Sequence, residues 1–290
     1  MANLKEVRNR IHSVTTTKQI TSAMKLVSAS KLRKAQDSII RFRPYASKLR
    51  EIMVRVASGL KNMPDNGIFA QRNPEKILMV VFSANRGLCG VFNANIAKAV
   101  SNLIDEKYNE QFKANNIDFI ALGRKAPEIL KKKNCIFEKN FNHLIEKPSF
   151  EEISSIGDSI ISEYVKGKYD EVILVYNQFK NASIQIPITE QLLPFNFDNT
   201  ESVNSDYILE PSQDEMFELI VPKTLKMQLY KALLDSIASE HGSRMTSMHK
   251  ATDNATEILK DLRLSYNKAR QASITNEIIE IVSGAEALKG

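Results

Sequence analysis

Tryptophan is absent from this chain of 290 residues, and glycine (10) and proline (9) are scarce. Cysteine occurs twice, at Cys89 and Cys135, with no CxxC pair. Two thiols cannot build a disulfide framework or a zinc cage, and they fit a reducing compartment. Long apolar runs are missing too. The longest, Ile77 to Phe82, falls far short of the roughly 20 residues that span a bilayer. With 43% hydrophobic and 26% charged residues, the composition excludes wholesale disorder and leaves enough chain for a sizeable core.

The shortage of glycine and proline is concentrated at the two ends. Before Gly59 there is no glycine, and Pro44 is the only proline. Leu4, Val7, Ile11 and Val14 recur at helical spacing; Ile20, Met24 and Val27, then Leu49, Ile52, Met53 and Val56, continue the face. The spacing predicts helix from Leu4 to Val56, about 80 Å of it at 1.5 Å per residue, kinked at Pro44. From Lys223 to Leu288 proline is again absent, and Gly242 and Gly284 are the only glycines. A stripe through Leu225, Leu229, Leu233, Ile237, Met248, Ala251, Ala255, Ile258, Leu262, Tyr266, Ala269, Ile278, Ile281, Ala285 and Leu288 predicts a second helix of roughly 100 Å.

Neither helix can bury its stripe alone. The economical solution is an antiparallel coiled coil of residues 1–58 and 211–290, with an α/β domain, 75–200, inserted between the arms. Thr21, Ala23, Ser28, Ala29, Ser30, Ala251 and Ala255 would give the seam close, shallow packing. Gly59 to Pro74 reads as a linker. In the middle, Lys76–Ser83, Ile117–Leu122 and Glu171–Tyr176 read as strands, and Asn93–Tyr108 and Ile153–Val165 as helices. Ser183–Leu193 adds a sheet edge. The alternation favours a Rossmann-like parallel sheet with right-handed crossovers.

Charge is as uneven as proline. Residues 1–60 hold 13 Lys/Arg against 3 Asp/Glu, a net of +10; residues 61–210 are at −3 and 211–290 at −1, giving +6 overall. The first 36 residues contain one acid, Glu6. That composition suits a transit peptide, a helix on nucleic acid, or a helix that pairs with another helix. It has no aromatic before Phe42 to stack on bases.

Catalytic motifs are hard to find. The turn Asn85-Arg86-Gly87-Leu88-Cys89-Gly90 lies where a dinucleotide fold would hold a pyrophosphate, but it has neither GxGxxG nor GxxxxGK[ST]. It reads as a tight turn or as a protein-contact loop carrying Arg86. Cys89 beside Arg86 is at best an activated thiol, and a packed loop cysteine is the simpler reading. His241, His249 and Asp253 lie down one helix, yet metal helices place ligands four apart, so solvated residues are expected. Glu151-Glu152 and Asp214-Glu215 suit helix starts better than a catalytic dyad.

Five stretches together resemble one family. Ile274 to Ala287 (ITNEIIEIVSGAEA) closely resembles the C-terminal signature of the gamma subunit of F-type ATP synthases, with Ile274, Thr275, Glu277, Glu280, Gly284 and Ala285 on its pattern. Ile20 to Gln36 (ITSAMKLVSASKLRKAQ) is similar to that family's first helix. Arg244 to Ala255 (RMTSMHKATDNA) and Tyr266 to Thr275 (YNKARQASIT) match its last. The central NRGLCG resembles the family's DRGLCG, with Asn85 for Asp, and Val91 stands where Gly is common.

The resemblance implies a rotor. The paired helices would form a central stalk inside a ring of alpha and beta subunits. The α/β domain would lie lower, near the epsilon subunit and the membrane c-ring. One copy per complex is implied, with no cofactor, no catalysis, no nucleic acid and no membrane insertion of its own. It further implies shaft-to-beta coupling through Met24, Arg244, Gln271, Thr275 and Glu277, and contact with an acidic lever of the beta subunit through Arg33, Lys34, Arg86 and Cys89. The basic helix would then belong to the rotor rather than to a presequence. The expected location is the cytoplasmic face of a bacterial inner membrane. Cys89 and Cys135 do not suggest thiol regulation. A coiled-coil or nucleic-acid adaptor, and a nucleotide-dependent enzyme with a helical arm, are the competing readings.

The physics of a shaft agrees with this composition. Stiffness excludes Gly and Pro, and contacts that must break each turn are better weak, since an exposed ion pair is worth about 0 to 1 kcal/mol.

Overall fold

A computed structural model describes residues 4–58, 67–69, 72–195 and 213–287. The predicted linker falls largely outside these residues, as does Leu288. Gly67–Phe69 forms a 3-10 turn. The chain gathers into two compact units, Met1–Ser28 with Met245–Gly290, and Ala29–Arg244.

Helix α1 runs from Leu4 to Ser58 without a break at Pro44. The C-terminal helix, α7, runs from Gln213 to Ala287. It starts ten residues before the predicted Lys223 and passes through Pro222, where one i→i−4 hydrogen bond is lost while the helix continues on either side.

In the first unit the two helices meet along positions seven apart. Val7, Thr21 and Ser28 are buried on α1, with Leu4, Ile11, Val14, Lys18 and Lys25 partly buried between them. Facing positions on α7 include Met248, Ala255 and Leu259. The Thr252 hydroxyl donates to the Thr21 hydroxyl at 2.9 Å. This heptad spacing is that of a left-handed coiled coil.

It corrects part of the sequence reading. Ile20 and Val27 are 55% and 56% exposed, and Ile258 is exposed. Ala23 and Ser30 also point outward. The seam follows the heptad, even where that brings in Thr and Ser and leaves isoleucine outside. Toward the C-terminus, Ile278, Ile281 and Ala285 are exposed rather than part of a buried stripe.

The second unit holds the sheet. Strands β1 (Ile77–Phe82), β2 (Ile117–Leu122), β3 (Phe137–Asn140), β4 (Glu171–Phe179) and β5 (Gln185–Leu193) lie in the order β3-β2-β1-β4-β5. Pairs β1–β2, β1–β4 and β2–β3 are parallel, and β4–β5 is antiparallel. β3 carries Glu and Lys and is largely exposed, as an edge strand should be. That polarity hides it from a periodicity reading.

The helices of this unit are α2 (Phe92–Lys107), α3 (Asn109–Lys113), α4 (Lys125–Leu130), α5 (His143–Glu146) and α6 (Phe150–Val165). Ile96, Val100 and Ile104 of α2 pack with alternate sheet residues Ile77, Met79, Val81, Phe119, Ile173 and Val175. The intervening residues Leu78, Val80 and Phe82 are equally buried and therefore face the other side.

Residues 29–58 and 213–244 of the long helices run antiparallel within this unit. The Phe42 and Tyr230 rings meet edge-on at 5.5 Å, while Lys31 acts electrostatically on Glu240 and His241. α7 is fastened here to α6 by Lys226–Asp158 at 2.6 Å, and to β5 by Gln228–Glu190 at 2.9 Å.

Candidate functional site

The loop 85–90 leaves the carboxyl end of β1. Its first residue is fixed by its side chain, since Asn85 Nδ2 donates to the Asn142 carbonyl at 2.9 Å and to Glu146 Oε1 at 3.4 Å. An Asp here could donate to neither, which accounts for Asn in this chain. Leu88 (φ 63°) and Gly90 (φ 58°) take left-handed conformations. For a leucine that costs about 1 to 2 kcal/mol. The result sends Leu88 outward, 67% exposed, and buries Cys89.

Asn93, in the first turn of α2, closes the turn from beneath. It accepts from the Ala84 N–H at 3.0 Å and donates to Cys89 Sγ at 3.1 Å. Val91 caps α2 at φ −86°, a conformation that does not need glycine.

Against this loop lies one stretch of α7, Ser239 to Arg244. Ser239 donates to the Asn177 carbonyl of β4 at 2.9 Å, and Ser243 to the Cys89 carbonyl at 2.7 Å. The Arg244 guanidinium donates to the Gly87 carbonyl, to the Arg86 carbonyl at 3.3 Å and to Glu240 at 2.6 Å. Gly242 permits the close approach: a Cβ there would stand 3.2 Å from Ala182 Cα and 3.3 Å from the Phe179 ring.

This placement decides what the sheet can bind. The strand order reverses between β1 and β4, and the crevice beyond their carboxyl ends is where open parallel sheets hold ligands. Here Ser239, Ser243 and Arg244 bond to that crevice's own backbone. The hydroxyls and guanidinium that might have held a phosphate are spent on the chain itself.

The electrostatics point the same way. Burial pushes the Cys89 thiol up, although Arg244 pulls against it. An activated thiol needs the opposite shift. Burial also raises Glu240 despite its bond to Arg244. His241 is lowered to about 4, first by burial and then by the charges of Lys31 and Arg244.

His241 is therefore a half-buried neutral residue and not the solvated one expected. His249, exposed, lies 3.4 Å from Asp253. Among the described residues no three His, Cys, Asp or Glu side chains come together as a metal site. Glu151 and Glu152 occupy the first turn of α6, whose cap Ser149 accepts from the Glu152 N–H.

The structure thus brings Arg86, Cys89 and Arg244 into one cluster. Arg33 and Lys34 lie exposed on the same unit's part of α1. In the other unit Met24 is half-buried, and its carbonyl accepts from Ser28 at 2.7 Å. Gln271, Thr275 and Glu277 are exposed on α7, where Thr275 bonds back to the Gln271 carbonyl at 2.9 Å and Ser273 to Glu277 at 3.4 Å. Ser239, Glu240, Gly242 and Ser243 were absent from the sequence-derived set. Their signal is the cluster of small residues in SIASEHGSR, which alone does not say what it packs against.

Comparison with known proteins places these features. The ATP synthase family model, ATP-synt, matches residues 3–288. The ATP synthase gamma chain of Christiangramia forsetii is 53% identical over 291 residues, and that of Flavobacterium johnsoniae 50% over 292, each covering 100% of both chains. Among solved structures, a chain of the central stalk and c-ring of Tetrahymena thermophila mitochondrial ATP synthase matches with a TM-score of 0.59 and 26% identity, over 80% of this chain and 99% of that one. A chain of the Euglena gracilis mitochondrial ATP synthase has the same fold, with a TM-score of 0.71 at 20% identity, over 98% of this chain and 94% of that one. With its paired terminal helices, its inserted sheet and its full-length match, the chain belongs to the ATP synthase gamma chain family.

Proposed function

We propose that this chain is the rotary central-stalk subunit of an ATP synthase. It couples ion flow through the membrane ring to ATP synthesis and hydrolysis at the beta subunits, one copy per complex, and is not itself catalytic. The end of α7 carries this reading. Ile274, Ile278, Ile279, Ile281 and Val282 are 48–71% exposed on continuous helix, and no described residue of the chain covers them. A row of uncovered apolar side chains on a stiff helix fits a shaft turning in an apolar collar supplied by other subunits.

The rest of the molecule supports the same role. The crevice that could have bound nucleotide is occupied by α7, which fits a mechanical part. Among the described residues no helix is long and apolar enough to cross a membrane, consistent with a peripheral place at the cytoplasmic face of a bacterial inner membrane. Arg33, Lys34 and Arg86 are exposed cations suited to transient contact with acidic levers of the beta subunits. Met24, Gln271, Thr275 and Glu277 line the shaft as coupling positions. Arg244 and Cys89 act from within, by setting the loop that carries Arg86. The α/β domain would face the epsilon subunit and the c-ring.

The test is reconstitution with the alpha, beta, epsilon and membrane-ring subunits. The complex should couple ion flow to ATP synthesis, and Glu277→Ala or Arg244→Ala should reduce that coupling. Wild-type synthesis by both variants would remove these residues from the role. Tight binding to duplex nucleic acid with a steep salt dependence, and indifference to the ring, would overturn the reading.

A further inference from the structure

Arg244 is proposed above as a coupling position, yet its side chain is only 10% exposed and both terminal nitrogens donate inside the chain. It reaches another subunit only through the loop whose carbonyls it holds. What holds Arg244 is Glu240, one helical turn earlier, with 8% of its side chain exposed.

We propose that Glu240 is a positioning residue for coupling: its carboxylate fixes the Arg244 guanidinium on the Gly87 and Arg86 carbonyls, and so sets the angle at which loop 86–89 stands on α7. The inference rests on the central-stalk reading given above and adds to it an internal latch.

The geometry is specific. A guanidinium presents five donors in one rigid plane. Nη2 divides its donation between Glu240 at 2.6 Å and the Arg86 carbonyl at 3.3 Å, while Nη1 serves Gly87. Fixing one edge of the plane on a carboxylate therefore fixes the other edge on the loop. Without Glu240 the long arginine side chain keeps its charge but loses both its counter-ion and its orientation.

The loop's own hold on the Arg86 carbonyl is the long contact from the Cys89 thiol, at 3.8 Å. Leu88 takes a left-handed conformation, and relaxing that strain would move Leu88 and, through Gly87, Arg86. Ser243 secures the next carbonyl, that of Cys89. Arg244 with Glu240 secures the two before Leu88. A loop that yields under load would absorb part of each rotary step instead of passing it on.

The groups around Glu240 are Arg244 on its own helix, Lys31 on α1 and Glu146 on α5. Of these, Arg244 is hydrogen-bonded to the carboxylate.

The experiment uses the assembled complex. The Cys89 thiol, 1% exposed, reports loop opening through its rate of maleimide labelling, read by mass spectrometry of its peptide. Glu240→Ala should raise that rate on the order of tenfold, the change in open population expected from one lost charge-assisted hydrogen bond. It should also lower ions pumped per ATP hydrolysed. Glu240→Gln, which keeps an acceptor oxygen, should lie between Glu240→Ala and the parent.

The double variant E240M/R244M separates positioning from stability, since it removes both buried charges and leaves neither ion unpaired. It should melt above Glu240→Ala but below the parent, because the Gly87 and Arg86 carbonyls lose their donor, while labelling stays fast and coupling poor. Parental labelling and coupling in Glu240→Ala and Glu240→Gln would overturn the proposal, as would full recovery of all three readouts in E240M/R244M. Failure of the parent chain to assemble or couple would instead count against the central-stalk reading.

Discussion

The Ser243 hydroxyl donates to the Cys89 carbonyl over 2.7 Å, joining residues 154 positions apart. The bond ties the loop after the first strand to the last helix, in buried surroundings. Ser243→Ala would leave that carbonyl with the longer bond from the Phe92 N–H at 3.3 Å, at a cost of about 0.5 to 1.5 kcal/mol. Denaturant unfolding of the full chain measures it, and a variant as stable as the parent would show that the carbonyl finds another donor.

Gly123 follows β2 with φ +108°, and a Cβ there would stand 2.0 Å from the Ser83 carbonyl oxygen. Backbone atoms cannot step aside as a flexible side chain would. Gly123→Ala should therefore lose more than the roughly 1 to 3 kcal/mol of backbone strain alone, and express as insoluble or unfolded protein. A soluble variant with the parent's melting temperature contradicts this.

Asp235 and His241 should oppose one another as pH falls. Burial lifts Asp235 from 3.8 to about 6, against the pull of Lys231 and Arg43 and with help from Glu190. Its folded state binds the proton more tightly, so stability is gained as pH drops from about 6 toward 4. His241 goes from 6.5 to about 4. There the unfolded state binds the proton more tightly, and stability is lost over nearly the same window. Each shift corresponds to about 3 kcal/mol. Relative to the parent, Asp235→Asn should lose stability faster as pH falls from 6.5 to 4, and His241→Gln should lose it more slowly or gain. Melts across that range read the difference, and slopes equal to the parent's would refute the assignment.

Asn85 can be tested by restoring the residue usual in the family. Asn85→Asp replaces a donor with a second acceptor facing the Asn142 carbonyl and the Glu146 carboxylate. We expect a loss of about 1 to 2 kcal/mol near neutral pH. Adding Glu146→Gln should return part of it. An Asp variant at least as stable as the parent would mean that the loop has no use for the amide.

The sheet's central strands were legible because ILMVVF, IDFIAL and EVILVY are apolar runs of strand length. β3, with Glu138 and Lys139 on an edge, carries no such signal. The coiled coil was legible as an architecture and in part as a seam. Thr21, Ser28 and Ala255 were placed on it and are buried, whereas apolar identity wrongly added Ile20 and Val27, which the seven-residue repeat leaves outside. Within this cluster, Arg244, Arg86 and Cys89 stand out in the sequence because they sit in motifs. Ser239, Glu240 and Ser243 do not, since small polar residues on a long helix look like a solvated face until the partner strand is known.

Rotation of this chain inside its ring is open to a direct test. The most direct measurement fixes the alpha and beta ring to a surface and places a bead on an exposed position of the α/β domain, such as Lys132. With ATP supplied, the bead should rotate in one direction at a rate that follows ATP concentration. A bead that stays still while the ring hydrolyses ATP at its full rate would contradict the account.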